Sequence, residues 1–179
     1  MEKAQENFTE ALKIYRELAK SNPSVYNVLV ANTLLQFSKA LYRTDLTKAI
    51  KYVDEAITIY QQTGDSVPAI NDRLSACYGR MSRFRLLSKQ YDEAEKYAKK
   101  AISINGKMEL LRKYLAHSFL YQGKFKEAKS IYMELKDKEY IIGETKKFKD
   151  LFIEDFDEFE QAGITHPDVA KIRELLKSN

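Results

Sequence analysis

The stretch Tyr91-Asp92-Glu93-Ala94-Glu95-Lys96-Tyr97-Ala98-Lys99-Lys100-Ala101-Ile102 decides the fold. Tyr91, Ala94, Ala98 and Ala101 recur at helical spacing and fall on one face. The same pattern stands at Leu46-Thr47-Lys48-Ala49-Ile50-Lys51-Tyr52-Val53-Asp54-Glu55-Ala56-Ile57 and at Phe125-Lys126-Glu127-Ala128-Lys129-Ser130-Ile131-Tyr132-Met133-Glu134-Leu135. Phe8-Thr9-Glu10-Ala11-Leu12-Lys13-Ile14-Tyr15-Arg16-Glu17-Leu18 is a fourth copy. Each has an aromatic residue or Leu, Ala three later, an apolar residue four later, and Ala or Leu after three more. The first Ala is small because a partner helix crosses there; a larger side chain would push the two helices apart. Self-similarity of this kind marks a helical repeat.

Working outward, apolar periodicity and chain breakers predict about nine helices. They span about Glu2 to Lys20, Val25 to Tyr42, from the turn Arg43-Thr44-Asp45 on to Gln62, Pro68 to Ser88, Tyr91 to Ile104, Met108 to Tyr121, Phe125 to Lys136, Glu144 to Gln161 and Pro167 to Lys177. Asn22-Pro23, Thr63-Gly64-Asp65-Ser66, Asn105-Gly106, Gly123 and Gly163 punctuate them, with Pro68 suited to a first helical turn. Thr165-His166-Pro167-Asp168 reads as a capping box. No strand pattern competes, so the fold class expected is all-α.

Composition agrees. The chain has 179 residues, enough for one domain with a sizeable core, and 44% of them are apolar. Six Gly and three Pro over that length favour long helices over many short strands. No run approaches the ~18 apolar residues of a spanning helix. The polar start Met1-Glu2-Lys3-Ala4-Gln5-Glu6 is unlike a signal peptide. A single cysteine, Cys77, makes no internal disulfide, so a reducing, cytoplasmic setting is expected.

The repeated pattern resembles the tetratricopeptide repeat. The partner-helix half agrees: Leu115-Ala116 with Phe119 and Gly123 is similar to the family's Leu-Gly…Tyr…Gly pattern, and Phe37-Ser38 with Leu41 follows it with a shorter turn. Tyr78, Met81 and Ser82 match less well, because Arg85 stands at a normally apolar place. Ala11, Ala49, Ala94 and Ala128 lie 38, 45 and 34 residues apart. The last spacing is the standard repeat, and the longer two resemble kinesin-light-chain-type repeats. The resemblance covers about residues 3 to 136. It implies a right-handed superhelical solenoid of antiparallel hairpins over residues 1–136, starting in mid-repeat, with residues 137–179 as capping helices. Helix 1 then lacks the first helix of its own hairpin. Its uncovered face calls for an upstream domain, a second copy forming a homodimer, or helix 2 alone.

Enzymatic motifs are absent, so neither cofactor nor catalytic residue is assigned. The six glycines are scattered along the chain and form no phosphate loop. His117 and His166 are far apart in sequence and have no Cys cluster beside them, so no metal site is assigned. His166 stands at a helix start, where capping is the simpler role, and Cys77 lies on an apolar face as a core thiol. Asp155-Phe156-Asp157-Glu158-Phe159-Glu160 fails as a calcium loop, with Phe159 at a ligand place and Glu160 at the required Gly. It reads as an acidic, solvated helix face.

The bases carry more information. From Arg73 to Lys113 eleven bases face four acids, a net charge of +7. The resemblance implies that first helices line a concave groove, with Asn32, Gln36, Lys39 and Arg43 on helix 2, Arg80 and Arg83 on helix 4, and Lys113, Tyr114, His117 and Tyr121 on helix 6. Such a groove would attract an acidic protein segment. The family's carboxylate clamp uses Lys and Asn; here Arg80, Arg83, Tyr114 and His117 stand at clamp-like positions without that Asn, so no chaperone-tail role follows. The expected function is a non-catalytic protein-interaction scaffold. The alternative is a nucleic-acid-binding module using helices 4 to 6, against which bases alternate with acids on helix 5 and no aromatic–Arg platform is visible.

Overall fold

The computed structural model describes residues 2–63, 70–142 and 144–178. Among them the elements are α1 (Glu2–Ser21), α2 (Pro23–Leu41), α3 (Leu46–Thr63), α4 (Ile70–Leu87), α5 (Tyr91–Ile104), α6 (Glu109–Tyr121), α7 (Phe125–Leu135), β1 (Glu139–Ile142), β2 (Glu144–Lys147), α8 (Phe148–Gln161) and α9 (Asp168–Lys177). The class is all-α, and neighbouring helices pack on one another as in a helical repeat, α1 on α2 and α2 on α3, then α5 on α6 and α6 on α7. The break at Gly64-Asp65-Ser66 and the placing of Pro68 lie outside the described residues.

Local chemistry sets most boundaries. Pro23 opens α2, where its missing N–H costs nothing. Asp45 Oδ1 accepts the Lys48 N–H at 2.8 Å and caps α3. Gly123 (φ 75°) and Gly163 (φ 69°) take the left-handed conformation just past α6 and α8, which lets the chain turn back onto the last carbonyls. Lys89 does the same after α4 at φ 59°, a conformation that a residue with a Cβ adopts at some cost. At Asn105-Gly106 the stop works differently: Asn105 ends α5 in an extended conformation, and Gly106 is not left-handed.

Two expectations are corrected. Residues 144–147 are not the first turn of helix 8; they form β2, antiparallel to β1 with Tyr140 opposite Lys146. Tyr140, Ile141 and Ile142 favour extended backbone, and ladder pairing with them overrides the helix preference of Glu144 and the lysines. Phe148 N–H then donates to Lys138 O at 3.0 Å, which fixes the start of α8. At α9 no side chain makes the capping-box bond. Instead His166 Nδ1 accepts the Asp168 N–H at 3.2 Å, so the histidine supplies the cap.

The chain divides into two compact units, residues 1–84 and 85–179. In the first, Leu34, Phe37, Ala49, Val53, Ala56, Tyr60, Cys77, Met81 and Phe84 are buried. Phe37 stacks on Phe8 at 5.2 Å and meets Tyr52 at 5.1 Å. Thus α2 covers Phe8 and Leu12 of α1, while Ile14 and Leu18 stay 48% and 38% exposed. In the second unit Ala94, Ala116, Ala128, Tyr132, Phe148, Phe152, Phe156, Phe159, Ile172 and Leu176 form one core. Each buried Phe there contributes about 1.5–3 kcal/mol of transfer free energy. Of the repeated alanines, Ala49, Ala94 and Ala128 are fully buried and Ala11 is half-buried.

Candidate partner-binding face

In the first unit α2 and α4 run side by side and parallel. Asn32 Oδ1 accepts an Arg73 N–H across 41 residues of sequence, and Arg83 stands over the Tyr42 ring at the same offset. That register sets Lys39 level with Arg80. Asn32 also accepts from Tyr60 Oη at 2.7 Å, so it ties α2 to α3 and α4. Gln36, Lys39 and Arg43 are exposed, while Arg80 and Arg83 are half-buried. Arg43 Nε donates to Tyr42 Oη at 2.8 Å, and its guanidinium lies 5.5 Å from the ring centroid. No acid occurs in α2.

The second unit treats its candidates differently. Lys113, His117 and Tyr121 are buried, and Tyr114 is half-buried beneath the Lys113 ammonium, 5.2 Å from its ring. The expectation that these residues line an open groove does not hold for Lys113, His117 and Tyr121, because α8 covers that face of α6. Lys113 Nζ pairs with Asp155 Oδ2 at 2.7 Å, and His117 Nε2 meets the same oxygen at 3.0 Å. An ionised carboxylate only accepts, so Nε2 carries the proton; Nδ1 then accepts from Tyr132 Oη at 2.8 Å. Burial raises the Tyr132 phenol far above its ordinary pKa, consistent with its staying a donor. Phe152, Phe156 and Phe159 meet the His117 ring edge-on. Asp155 is therefore a buried counter-ion rather than part of a solvated acidic face; its neighbours Asp157 and Glu160 are exposed as expected.

Sequence reasoning missed Tyr42, Arg73 and Asp155. Tyr42 carried a usable signal, an aromatic flanked by Arg43 at the end of a helix without acids. Asp155 carried one as well: it lies one residue from Phe156 and three from Phe152 on the apolar side of α8. Cys77 is a buried free thiol, as expected, and burial pushes its pKa up to about 12 against the opposing effect of Arg80. Among the described residues, no group of three or more His, Cys, Asp and Glu side chains could hold a metal. No helix there is long and apolar enough to cross a membrane.

The neighbour-on-neighbour helix packing and the buried crossing alanines define the class of protein, a helical repeat. The family model of the tetratricopeptide repeat matches residues 75–108. The matched residues are α4 from Ser75, all of α5 and the turn after it, so this stretch is similar to one tetratricopeptide repeat. This is the hairpin whose first helix departs most from the pattern, with Arg85 at an apolar place. Arg85 is accommodated by donating to Gln90 Oε1 at 2.7 Å and by lying over Tyr97. The comparisons with curated proteins and with solved structures gave no match.

Proposed function

We propose that the chain is a non-catalytic scaffold that holds an acidic segment of a partner protein against the α2–α4 face. The observation that carries this reading is the set Lys39, Arg43, Arg80 and Arg83 on two parallel helices, with Gln36 as an exposed polar contact. One sign of charge on a protein wall raises the local concentration of oppositely charged segments and speeds their encounter. Lys113 and His117 leave this set because Asp155 already supplies their carboxylate, and Tyr121 leaves it because it is buried. A reducing compartment such as the cytoplasm suits a chain whose single cysteine is a buried free thiol.

The test is binding of a fluorescent glutamate-rich peptide to the whole chain, with the K39E/R43E double variant beside it. Both substituted residues are exposed, so the fold is expected to survive. Loss of binding in the variant and a steep decline with salt support the reading. Tighter binding of a single-stranded RNA with the same variant dependence would favour the nucleic-acid alternative.

A further inference from the structure

Among the described residues β1 and β2 pair only with each other, so each strand keeps one edge. One bond tells which groups the edge of β1 presents. Phe148 N–H donates to Lys138 O at 3.0 Å, so these two residues occupy a hydrogen-bonded position of the antiparallel register. Such positions alternate along a ladder. Tyr140 with Lys146 is the next one, and Glu139 opposite Lys147 and Ile141 opposite Thr145 fall between. The backbone N–H and C=O groups of Glu139 and Ile141 therefore point away from β2. Among the described residues no group bonds to them. Lysine, proline and bulges are the usual guards of such an edge. β1 reads Glu-Tyr-Ile-Ile, with one charge, no lysine, no proline and an unbroken register.

A hollow of about 310 Å³ lies against this edge, with Lys107, Met108 and Leu110 on one side and Glu139, Tyr140 and Phe148 on the other. Side chains of Glu139 and Tyr140 point to opposite faces of β1. A hollow that touches both runs along the strand's edge, and none of its described lining comes from β2, so it is the edge away from β2. Its far wall is the turn after α5 and the first turn of α6, tied to the start of β1 by the Lys138–Glu109 ion pair. Between two such walls one added strand fits, not the two strands that a second copy's hairpin would bring. The floor is apolar: Tyr140 is half-buried and its ring lies 5.7 Å from that of Phe148. On the other face of β1, Ile141 is 71% exposed and is left uncovered by the hairpin itself. Lys107 on the rim is exposed and pairs with no acid among the described residues.

We propose that the free edge of β1 is a docking site that takes an extended segment of a partner protein by strand addition. The segment's backbone bonds to the N–H and C=O groups of Glu139 and Ile141. Its alternate apolar residues fill the hollow beside Tyr140, Phe148 and Leu110. The β-branched residues that point the other way cover Ile141, and an acidic residue at one end meets Lys107. The site lies in the second unit and stands independently of the α2–α4 reading.

The test uses the whole chain and a fluorescent peptide of one glutamate followed by alternating valine and threonine, read by anisotropy. Two N-methylated versions carry the discrimination, one blocking the odd amides and one the even. In an added strand only one of these sets faces β1, so one version is expected to lose binding and the other to keep it within about twofold. I141P removes an edge N–H without breaking a ladder bond. It is expected to keep the helical circular dichroism and to weaken binding by about tenfold or more. A readout without any variant is amide exchange, expected to be fast at Glu139 and Ile141 in the free chain and slowed by the peptide. Equal effects of the two methylated versions, or protection that spares Glu139 and Ile141, overturn strand addition. Failure of the unmodified peptide to bind overturns the proposal, as does unchanged binding by a folded I141P chain. Protection of Ile141 that grows with protein concentration in the absence of peptide makes a second copy the occupant and overturns the choice of partner.

Discussion

Asp155 shows how much one side chain decides. Its carboxylate is the shared acceptor for a buried ammonium and a buried imidazole, with both side chains of the ion pair less than a tenth exposed. Removing one partner of such a pair leaves a charge stranded away from water, which costs about 3–5 kcal/mol. D155A is therefore expected to lose stability on that scale in urea melts, while the double change Lys113→Met with Asp155→Leu recovers most of it. Equal losses in the single and double variants would show that packing rather than charge is what α8 contributes there. Cys77 makes a second residue-scale case. With its pKa raised to about 12, almost none of the thiol is thiolate near neutral pH, and the thiolate is the reactive form. Alkylation by iodoacetamide should be slower by about a hundredfold or more in the native protein than in guanidinium chloride; comparable rates would place Cys77 at an accessible site.

At the scale of elements, the repeated alanines carry the clearest prediction. Ala128 is fully buried in the core that Tyr132 and Phe152 share, so Ala128→Leu should cost about 1–3 kcal/mol through overpacking. An unmoved melting temperature would contradict the repeat register. Glu95 gives this scale its pH dependence. Burial alone would raise its carboxyl, but hydrogen bonds from Lys124, Lys99 and Gln122 outweigh that and bring the pKa down to about 2. The bonds from Gln122 and Lys124 tie α5 to the α6–α7 turn, while that from Lys99 lies within α5. A carboxyl with a lowered folded-state pKa stabilises the fold above its unfolded value near 4.5, and the contribution fades as pH falls toward 2. E95Q should thus lower the melting temperature by about 2–4 °C at pH 7 and by much less at pH 2.5, followed by circular dichroism. The helices were legible in sequence because period and breakers coincide: α5 runs from Tyr91 to Ile104 as expected. The β-hairpin was not, since four residues of strand depend on pairing with a neighbour that local preference does not encode. The candidate face was half legible. Lys39, Arg43, Arg80 and Arg83 stay at or near the surface, but that α8 turns a carboxylate onto Lys113 and His117 is a tertiary event, and Asp155 among acids reads as solvated.

For the whole molecule the segment from Asp137 onward poses the sharpest question: terminal cap or appendage. A repeat array ends in an apolar face that needs a unit with one greasy and one solvated side. α8 and α9 have that form. Phe148, Phe152, Phe156, Phe159, Val169, Ile172 and Leu176 are buried, while Asp150, Glu154, Asp157, Lys171 and Glu174 face water. Their removal would uncover Tyr132 and His117 and strand Lys113 without its counter-ion, so the cost has both an apolar and an electrostatic part. Ending the chain at Lys136 should therefore give a protein that aggregates or melts at least about 10 °C lower, with a larger drop than Ala128→Leu produces. The two parts separate in a second variant: Lys113→Met within the truncated chain removes the stranded charge and should recover part of the stability but not the solubility. A truncated chain that stays monodisperse in light scattering and keeps its melting temperature would make residues 137–179 an appendage. The buried ion pair would then be a fastening for that appendage rather than a seal for the end of the repeats.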